Sequence, residues 1–140
     1  MNKKVLFFSL VVLLVLIDRI LKITLVKSSC FFLFCIKPTI NFGASFGLFS
    51  GLTWLLVIIG VLVLGIIGYF YIKYKDRLLQ IALIFLFSGT LGNLIDRIFY
   101  GYVLDFIGFS FIPTFPAFNL ADVLNLVGAI MLIIFLFRKK

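Results

Sequence analysis

Four apolar stretches, separated by short charged segments, constrain this chain more than any other feature. They cover residues 5–17, 52–72, 78–95 and 123–137, and the first continues to about residue 26 if three charged side chains are accepted within it. A helix needs about 20 mostly apolar residues to cross the hydrocarbon core of a bilayer. Because 64% of the 140 residues are hydrophobic and the mean hydropathy is +1.32, a water-soluble fold is excluded. The expected fold is an all-α integral membrane protein with four transmembrane helices.

Basic residues predict how these spans are oriented. They cluster at the N-terminus, in the segment 73–77 and at the C-terminus, at the ends of the apolar runs. Short cytoplasmic loops are enriched in Lys and Arg, so both termini and this segment are expected in the cytoplasm. Four spans satisfy that pattern and three do not. We predict one membrane domain over residues 1–140, with spans at about 5–26, 52–72, 78–98 and 119–137.

The net charge of +8 does not indicate a nucleic-acid partner. The basic residues form no continuous face, and their positions fit topology signals and contact with anionic membrane lipid.

The first apolar run is predicted to be an uncleaved anchor. Its basic start and apolar core resemble a signal peptide, but Asp18 and Arg19 follow without a small-residue cleavage site. Cleavage before Cys30 would favour an aliphatic residue three positions earlier, where Lys27 lies.

Residue types that are missing limit the chemistry. The chain has no His, and its five acidic residues are all Asp. Ser-His-Asp and Cys-His catalysis, HExxH zinc sites and imidazole ligation are therefore excluded. Cys30 and Cys35 are either free thiols or a disulfide, and no function is assigned to them.

Four of the five acids are predicted to share one level, the outer end of the bundle. Asp76 belongs to the basic cytoplasmic segment, and the other four come from different segments: Asp18, Asp96, Asp105 and Asp122. Carboxylates at the edge of the hydrocarbon are costly, so this convergence suggests a site. Structural ion pairs are the competing interpretation for Asp18 with Lys22 and for Asp96 with Arg97.

Asp105 and Asp122 differ because neither has a basic neighbour close in sequence. Two such carboxyls can share a proton and activate water for peptide hydrolysis, as a coupled dyad without fixed assignments. Proton-coupled transport by the same two acids and a catalytically inactive scaffold are the alternatives. A Ser/Lys mechanism, pairing Lys22 with Ser45 or Ser88, is disfavoured because Asp18 would hold Lys22 charged.

The small-residue segment 41–47 precedes the second span. Such residues permit close backbone approach, so an extended peptide could add to it as a strand; a tight loop that enters the helix explains it equally well.

Five motifs, in order along almost the whole chain, resemble those of the lipoprotein signal peptidases, also called signal peptidase II. They are Asp18-x-x-x-Lys22, Asn41-x-Gly43-Ala44-x-Phe46-Gly47, Gly92-Asn93-x-x-Asp96-Arg97, Val103-x-Asp105-Phe106 and Phe118-Asn119-x-Ala121-Asp122. The chain departs from the usual family residues at Ser88, Thr90, Val123 and Asn125.

The resemblance implies an aspartic endopeptidase of the bacterial inner membrane with no metal or cofactor. Apart from the resemblance, we expect a monomer. It would cut signal peptides from diacylglyceryl-modified prolipoproteins, just before the lipidated cysteine, at the outer face. A small extended or β platform is implied in the first outer loop, shorter than usual. Asp105 and Asp122 match the catalytic dyad, supported by Asn93 and Asn119. The other positions that match residues shaping the site are Asp18, Lys22, Asn41, Gly43, Asp96 and Arg97.

Overall fold

A computed structural model describes residues 3–44, 48–112 and 114–138. Helices dominate it, and each predicted span has a helix over nearly the same residues. The elements in chain order are α1 (Lys3–Thr24), β1 (Ser29–Phe31), β2 (Phe34–Asn41), α2 (Thr53–Lys73), α3 (Arg77–Tyr100), β3 (Val103–Phe109) and α4 (Leu120–Arg138).

The helices differ in how well they qualify as membrane spans. Within the described residues, three of them, α2, α3 and α4, are long and apolar enough to cross a bilayer, by length and composition. The first helix is of similar length but contains Asp18, Arg19 and Lys22. Its place in the membrane therefore depends on where those charges point.

Local sequence explains both ends of α3. The helix begins after Asp76, whose carboxylate accepts a hydrogen bond from the backbone N–H of Leu79 at 3.1 Å, as an N-cap residue does. It ends at Gly101, which has a φ of +79°. Glycine adopts this left-handed conformation without a steric penalty, so the chain can turn directly into β3.

One end of the bundle collects polar contacts from three helices. The Nζ of Lys22 in α1 lies 2.8 Å from the carboxylate of Asp96 in α3. The backbone N–H of Ala121 in α4 donates to Asp18 in α1 at 3.1 Å. The C-terminal halves of α1 and α3 therefore meet the N-terminus of α4 at this end.

The buried face of α1 changes character along its length. Phe7, Val11 and Val15 pack into the apolar core with α2, α3 and α4, whereas Asp18 and Lys22 continue the same face and are also buried. Spacings of three and four residues keep all five side chains on one side of the helix. The apolar core thus occupies one end of the bundle and a charged cluster the other.

Helices α3 and α4 approach closely because glycines lie between them. A Cβ atom on Gly89 would lie 2.4 Å from the carbonyl oxygen of Ala121, and one on Gly128 would lie 2.9 Å from that of Ala82. Small residues at helix contacts are typical of membrane bundles, where close packing drives association.

Three antiparallel strands in the order β1-β2-β3 cover the polar end of the bundle. The predicted platform in the loop after α1 is present as β1 and β2, and β3, which the sequence analysis did not predict, completes it. Thr39 pairs with Asp105 and Asn41 with Val103, while the register shifts between Ile36 and Thr39. Pro38, which has no N–H for the ladder, lies at this irregularity.

Candidate active site

Asp105 projects from β3 into a pair of amide side chains. Its carboxylate accepts hydrogen bonds from Asn41 Nδ2 at 3.0 Å and from Asn119 Nδ2 at 2.7 Å. The residue is only 2% exposed to solvent. Burial and, second, the negative charge of Asp122 raise the pKa of the Asp105 carboxyl from 3.8 to about 6, and the two amides oppose that rise.

Asp122 is held by the start of α4. The backbone N–H of Asp122 donates to Asn119 Oδ1 at 2.9 Å, and the backbone N–H of Asn119 donates to Asp122 Oδ2 at 3.0 Å. This reciprocal arrangement is a capping box, in which the third residue of the helix bonds back to the cap. Local backbone geometry therefore sets the direction of the Asp122 carboxylate.

Two asparagines connect the carboxylates. Asn119 Nδ2 donates to Asp105 and also to Asn93 Oδ1 at 3.0 Å, and Asn93 Nδ2 donates to Asp122 Oδ1 at 2.8 Å. Asn119 is fully buried. A continuous chain of amide hydrogen bonds thus joins the two acids.

A buried ion cluster lies behind these amides. Lys22 Nζ is 2.7 Å from Asp18 and 2.8 Å from Asp96, and it donates to Asn93 Oδ1 at 3.4 Å. Because all three charged residues are at most 2% exposed, each depends on the others to compensate for lost hydration. The cluster ties α1 to α3 directly beneath Asn93.

Asp96 does not pair with Arg97, its neighbour in sequence. The predicted structural pair with Arg97 is wrong: Asp96 binds Arg19 and Lys22 instead. Successive helical residues point about 100° apart, so Arg97 turns to the other side of α3. There it donates to the carbonyl oxygens of Gly43 at 2.8 Å and Asn93 at 3.3 Å.

Gly43 is held at the end of β2 by two contacts. Its N–H donates to Asn41 Oδ1 at 2.9 Å, and its carbonyl accepts from Arg97. Residues 45–47 of segment 41–47, which include Phe46 and Gly47 of the second motif, lie outside the described residues. The two interpretations of this segment, strand addition and a tight loop, therefore stay predictions.

The ten residues predicted for the site form one connected network, divided between a cavity of about 940 Å³ and the layer behind it. Of these ten, the residues that line the cavity are Asn41, Gly43, Asn93, Arg97, Asp105 and Asp122. Asn119 and the buried cluster of Asp18, Lys22 and Asp96 support these from behind. Their catalytic and binding roles remain predictions.

Several polar residues of this region were not assigned to the site from sequence. Arg19 binds Asp96, and Thr90 and Asn125 line the cavity, where Thr90 Oγ1 donates to Asn125 Oδ1 at 3.3 Å. Thr90 and Asn125 were noted as departures from the family pattern. Their positions one turn from Asn93 and Asp122 were a signal for the same face.

The arrangement disfavours a Ser/Lys mechanism. Lys22 is held by two carboxylates, and the hydroxyl of Ser88 donates to the Ile84 carbonyl at 2.8 Å. Ser45 lies outside the described residues. What remains is a pair of linked carboxyls at a cavity, one of them with a pKa near neutrality, which suits general acid-base chemistry.

Comparison with known proteins decides the family. Residues 10–138 match the family described as signal peptidase (SPase) II. The chain belongs to the signal peptidase II family. Members of this family are membrane aspartic proteases that cleave signal peptides from prolipoproteins.

Individual signal peptidase II relatives agree over most of the chain. A lipoprotein signal peptidase of Clostridium novyi (strain NT) is 43% identical over 137 residues, covering 89% of this chain and 93% of the relative. One from Chlamydia pneumoniae is 42% identical over 106 residues, 73% of this chain and 63% of the relative. A solved structure described as a bacterial membrane enzyme superimposes with a TM-score of 0.88 at 33% identity, covering 94% of this chain and 87% of that one.

Proposed function

We propose that this chain removes signal peptides from diacylglyceryl-modified prolipoproteins, cutting just before the lipidated cysteine, with Asp105 and Asp122 as the catalytic dyad. The observation that carries the proposal is the link between the two carboxyls through Asn119 at the wall of one cavity. Membership of the signal peptidase II family supports the same reaction.

The two carboxyls divide acid and base work between them. One accepts a proton from water as the water oxygen bonds to the carbonyl carbon of the scissile peptide, while the other donates its proton to the carbonyl oxygen. A proton then passes to the amide nitrogen, and the C–N bond breaks. The products are a signal peptide with a new carboxyl terminus and a lipoprotein with a free amine on its cysteine. The proton belongs to the coupled pair and not to a fixed residue.

The surrounding polar groups keep the dyad in place. Asn41 and Asn119 hold Asp105, while Asn93 and the α4 capping box hold Asp122. Groups that orient a catalytic residue through hydrogen bonds save the reorganisation that the transition state would otherwise require.

A four-span topology follows if α1 also crosses the membrane. Beyond its first turn the helix has three charged residues, Asp18, Arg19 and Lys22, and each contacts α3 or α4. Its exposed side chains between residues 5 and 23 are largely apolar. The helix can therefore face lipid along this length with its charges turned toward the bundle. With the basic segments in the cytoplasm, the dyad lies at the outer face of the bacterial inner membrane. The apolar part of a signal peptide stays in lipid there while water reaches the cut.

The test is cleavage of a diacylglyceryl-modified precursor by the purified protein in detergent. We expect Asp105→Asn and Asp122→Asn each to lower kcat by at least about 10³-fold, because one carboxyl cannot act as both acid and base. Asp76→Asn is the matched control, since asparagine also caps a helix and Asp76 lies in the basic segment.

Two results would contradict the proposal. An inert wild type that instead takes up a solute along a pH gradient would favour the transporter. A wild type that cleaves equally well without either carboxyl would exclude the dyad.

A further inference from the structure

The hairpin of β1 and β2 ends in four consecutive exposed apolar residues, 31–34, called here the hairpin tip. Phe31 is 74% exposed and Phe32 is 94% exposed, and Leu33 and Phe34 are also exposed. Contiguous apolar patches of this kind mark a surface that contacts lipid or protein.

The backbone of the hairpin tip has its turn carbonyls satisfied. Ser110 donates from its hydroxyl to the Phe32 carbonyl at 2.5 Å and from its N–H to the Leu33 carbonyl at 3.1 Å. Hydrocarbon offers no hydrogen bonds, so a segment that enters it must satisfy its polar backbone internally. Phe32 also has a φ of +47°, a conformation that favours glycine or asparagine. An aromatic ring is thus present where a turn alone would favour a small or polar residue.

An apolar groove of about 410 Å³ lies between the hairpin and the helix ends. Its lining includes Phe31 and Phe34 of the hairpin, Leu25 after α1 and Val123 in the first turn of α4. Exposed apolar side chains on these helices, such as Ile23, continue the surface. The hairpin therefore lies beside the lipid-facing surface of the bundle, and the groove matches the chemistry of an acyl chain.

Charge and covalent structure add to this pattern. Lys27 is exposed behind the tip, and residues 23–44 contain no acidic side chain, which suits anionic lipid headgroups. Cys30 and Cys35, whose state the sequence left open, form a disulfide between β1 and β2 next to the Phe31–Phe34 pair. This bond joins the two strands that carry the tip.

We propose that the hairpin tip is a lipid anchor, inserted among the acyl chains of the outer leaflet, with Lys27 at the headgroups. The proposal rests on the membrane placement given above but not on the catalytic reaction. Because β2 pairs with β3, which carries Asp105, the anchor would set the depth of the sheet and hence of the dyad relative to the membrane.

The test uses tryptophan fluorescence of the full chain in liposomes that contain anionic lipid. Trp54 is the single tryptophan, so Trp54→Phe provides a silent background for Phe32→Trp. We expect the new tryptophan to lose most of its fluorescence in lipid with brominated acyl chains and to resist quenching by aqueous iodide. Ser28→Trp, at the base of the same hairpin and exposed, is the matched control, and iodide should quench it more strongly.

Two outcomes would overturn the anchor. Quenching of Phe32→Trp by iodide but not by brominated lipid would place the tip in water. Resistance to both quenchers would mean that protein covers it, a second copy included. Adding Asp105→Asn should leave the quenching unchanged, so a failure of the anchor and a failure of the peptidase are observed separately.

Discussion

Asp105 and Asp122 are the same residue type in different surroundings. Asp105 lies on a strand between two amide donors and is almost completely buried. Asp122 accepts a backbone hydrogen bond in the first turn of a helix, where the helix dipole favours a negative charge. Burial and the charge of Asp122 raise the pKa of Asp105 to about 6. Because their surroundings differ in this way, two residues of the same type can supply both an acid and a base.

The raised pKa predicts how activity responds to pH. The raised pKa of Asp105 indicates that the pair loses its shared proton as pH rises through about 6, so kcat/KM is expected to fall above this value. The measurement is a pH profile of kcat/KM with a lipidated precursor in detergent. A profile that stays flat through pH 6 and beyond would contradict the assignment.

The same group makes folding stability depend on pH. Between 3.8 and about 6 the folded protein keeps a proton on Asp105 that the unfolded chain has released. Stability from this group is therefore present at low pH and falls as pH rises through that window. Asp105→Asn should flatten this part of the profile of stability against pH. If the wild type stays folded throughout this window, its fall in activity does not come from unfolding.

At the scale of elements, the start of α4 combines structural and chemical tasks. Asn119 caps the helix through its Oδ1 and reaches Asp105 and Asn93 through its Nδ2. Asp18 from α1 takes the next N–H, that of Ala121. The groups that cap the start of α4 thus also align the two acids.

Substitutions of Asn119 separate these tasks. Asn119→Ala removes the cap, at a cost of about 1 kcal/mol of stability, and also the buried amide that donates to Asp105 and Asn93, at a cost of about 1–3 kcal/mol. Asn119→Ser keeps a cap oxygen and lacks only the amide, so it should be more stable than Asn119→Ala by about the value of the cap. Both variants should lose activity by on the order of 10²-fold, because the carboxyls are no longer aligned. Thermal unfolding and initial rates measure the two effects, and a fully active Asn119→Ser would refute the aligning role.

At the scale of the whole molecule, the bundle has an apolar core at one end and a cluster of buried charges at the other. Lys22 contacts acids from two helices, Asp18 and Asp96, and it also approaches Asn93. Since Asp18 in turn bonds to the first turn of α4, this cluster connects three helices directly behind the cavity.

Removing Lys22, the central cation of this cluster, should destabilise the fold. Lys22→Met keeps the length of the side chain but leaves two buried carboxylates without it, at a cost of roughly 3–5 kcal/mol. Lys75→Met, at an exposed position between α2 and α3, is the control and should change stability by less than about 0.5 kcal/mol. Thermal unfolding in detergent is the measurement. Equal unfolding temperatures for the two variants would show that the cluster contributes little.

Much of the architecture was predictable because it depends on local properties. The apolar runs predicted the four helical segments closely, and the motifs predicted ten residues that the structure joins in one network. Strand β3 was missed because Gly101 to Phe109 reads locally as a loop and becomes a strand by pairing with β2. The prediction that Arg97 pairs with Asp96 was wrong. Arg97 is the next residue in sequence, whereas the actual partner Arg19 lies 77 positions away.

The sequence by itself determined where helices form and which chemistry is possible. Apolar length and the presence of Asp without His or Glu are properties of the residues themselves. The tertiary structure decided which acids meet, which cations pair with them and how far the pKa of Asp105 rises. These depend on burial and on distances between residues as far apart in sequence as Asp18 and Ala121. Electrostatic and hydrogen-bond energies change steeply over a few ångströms, and only packing of the whole chain sets those distances.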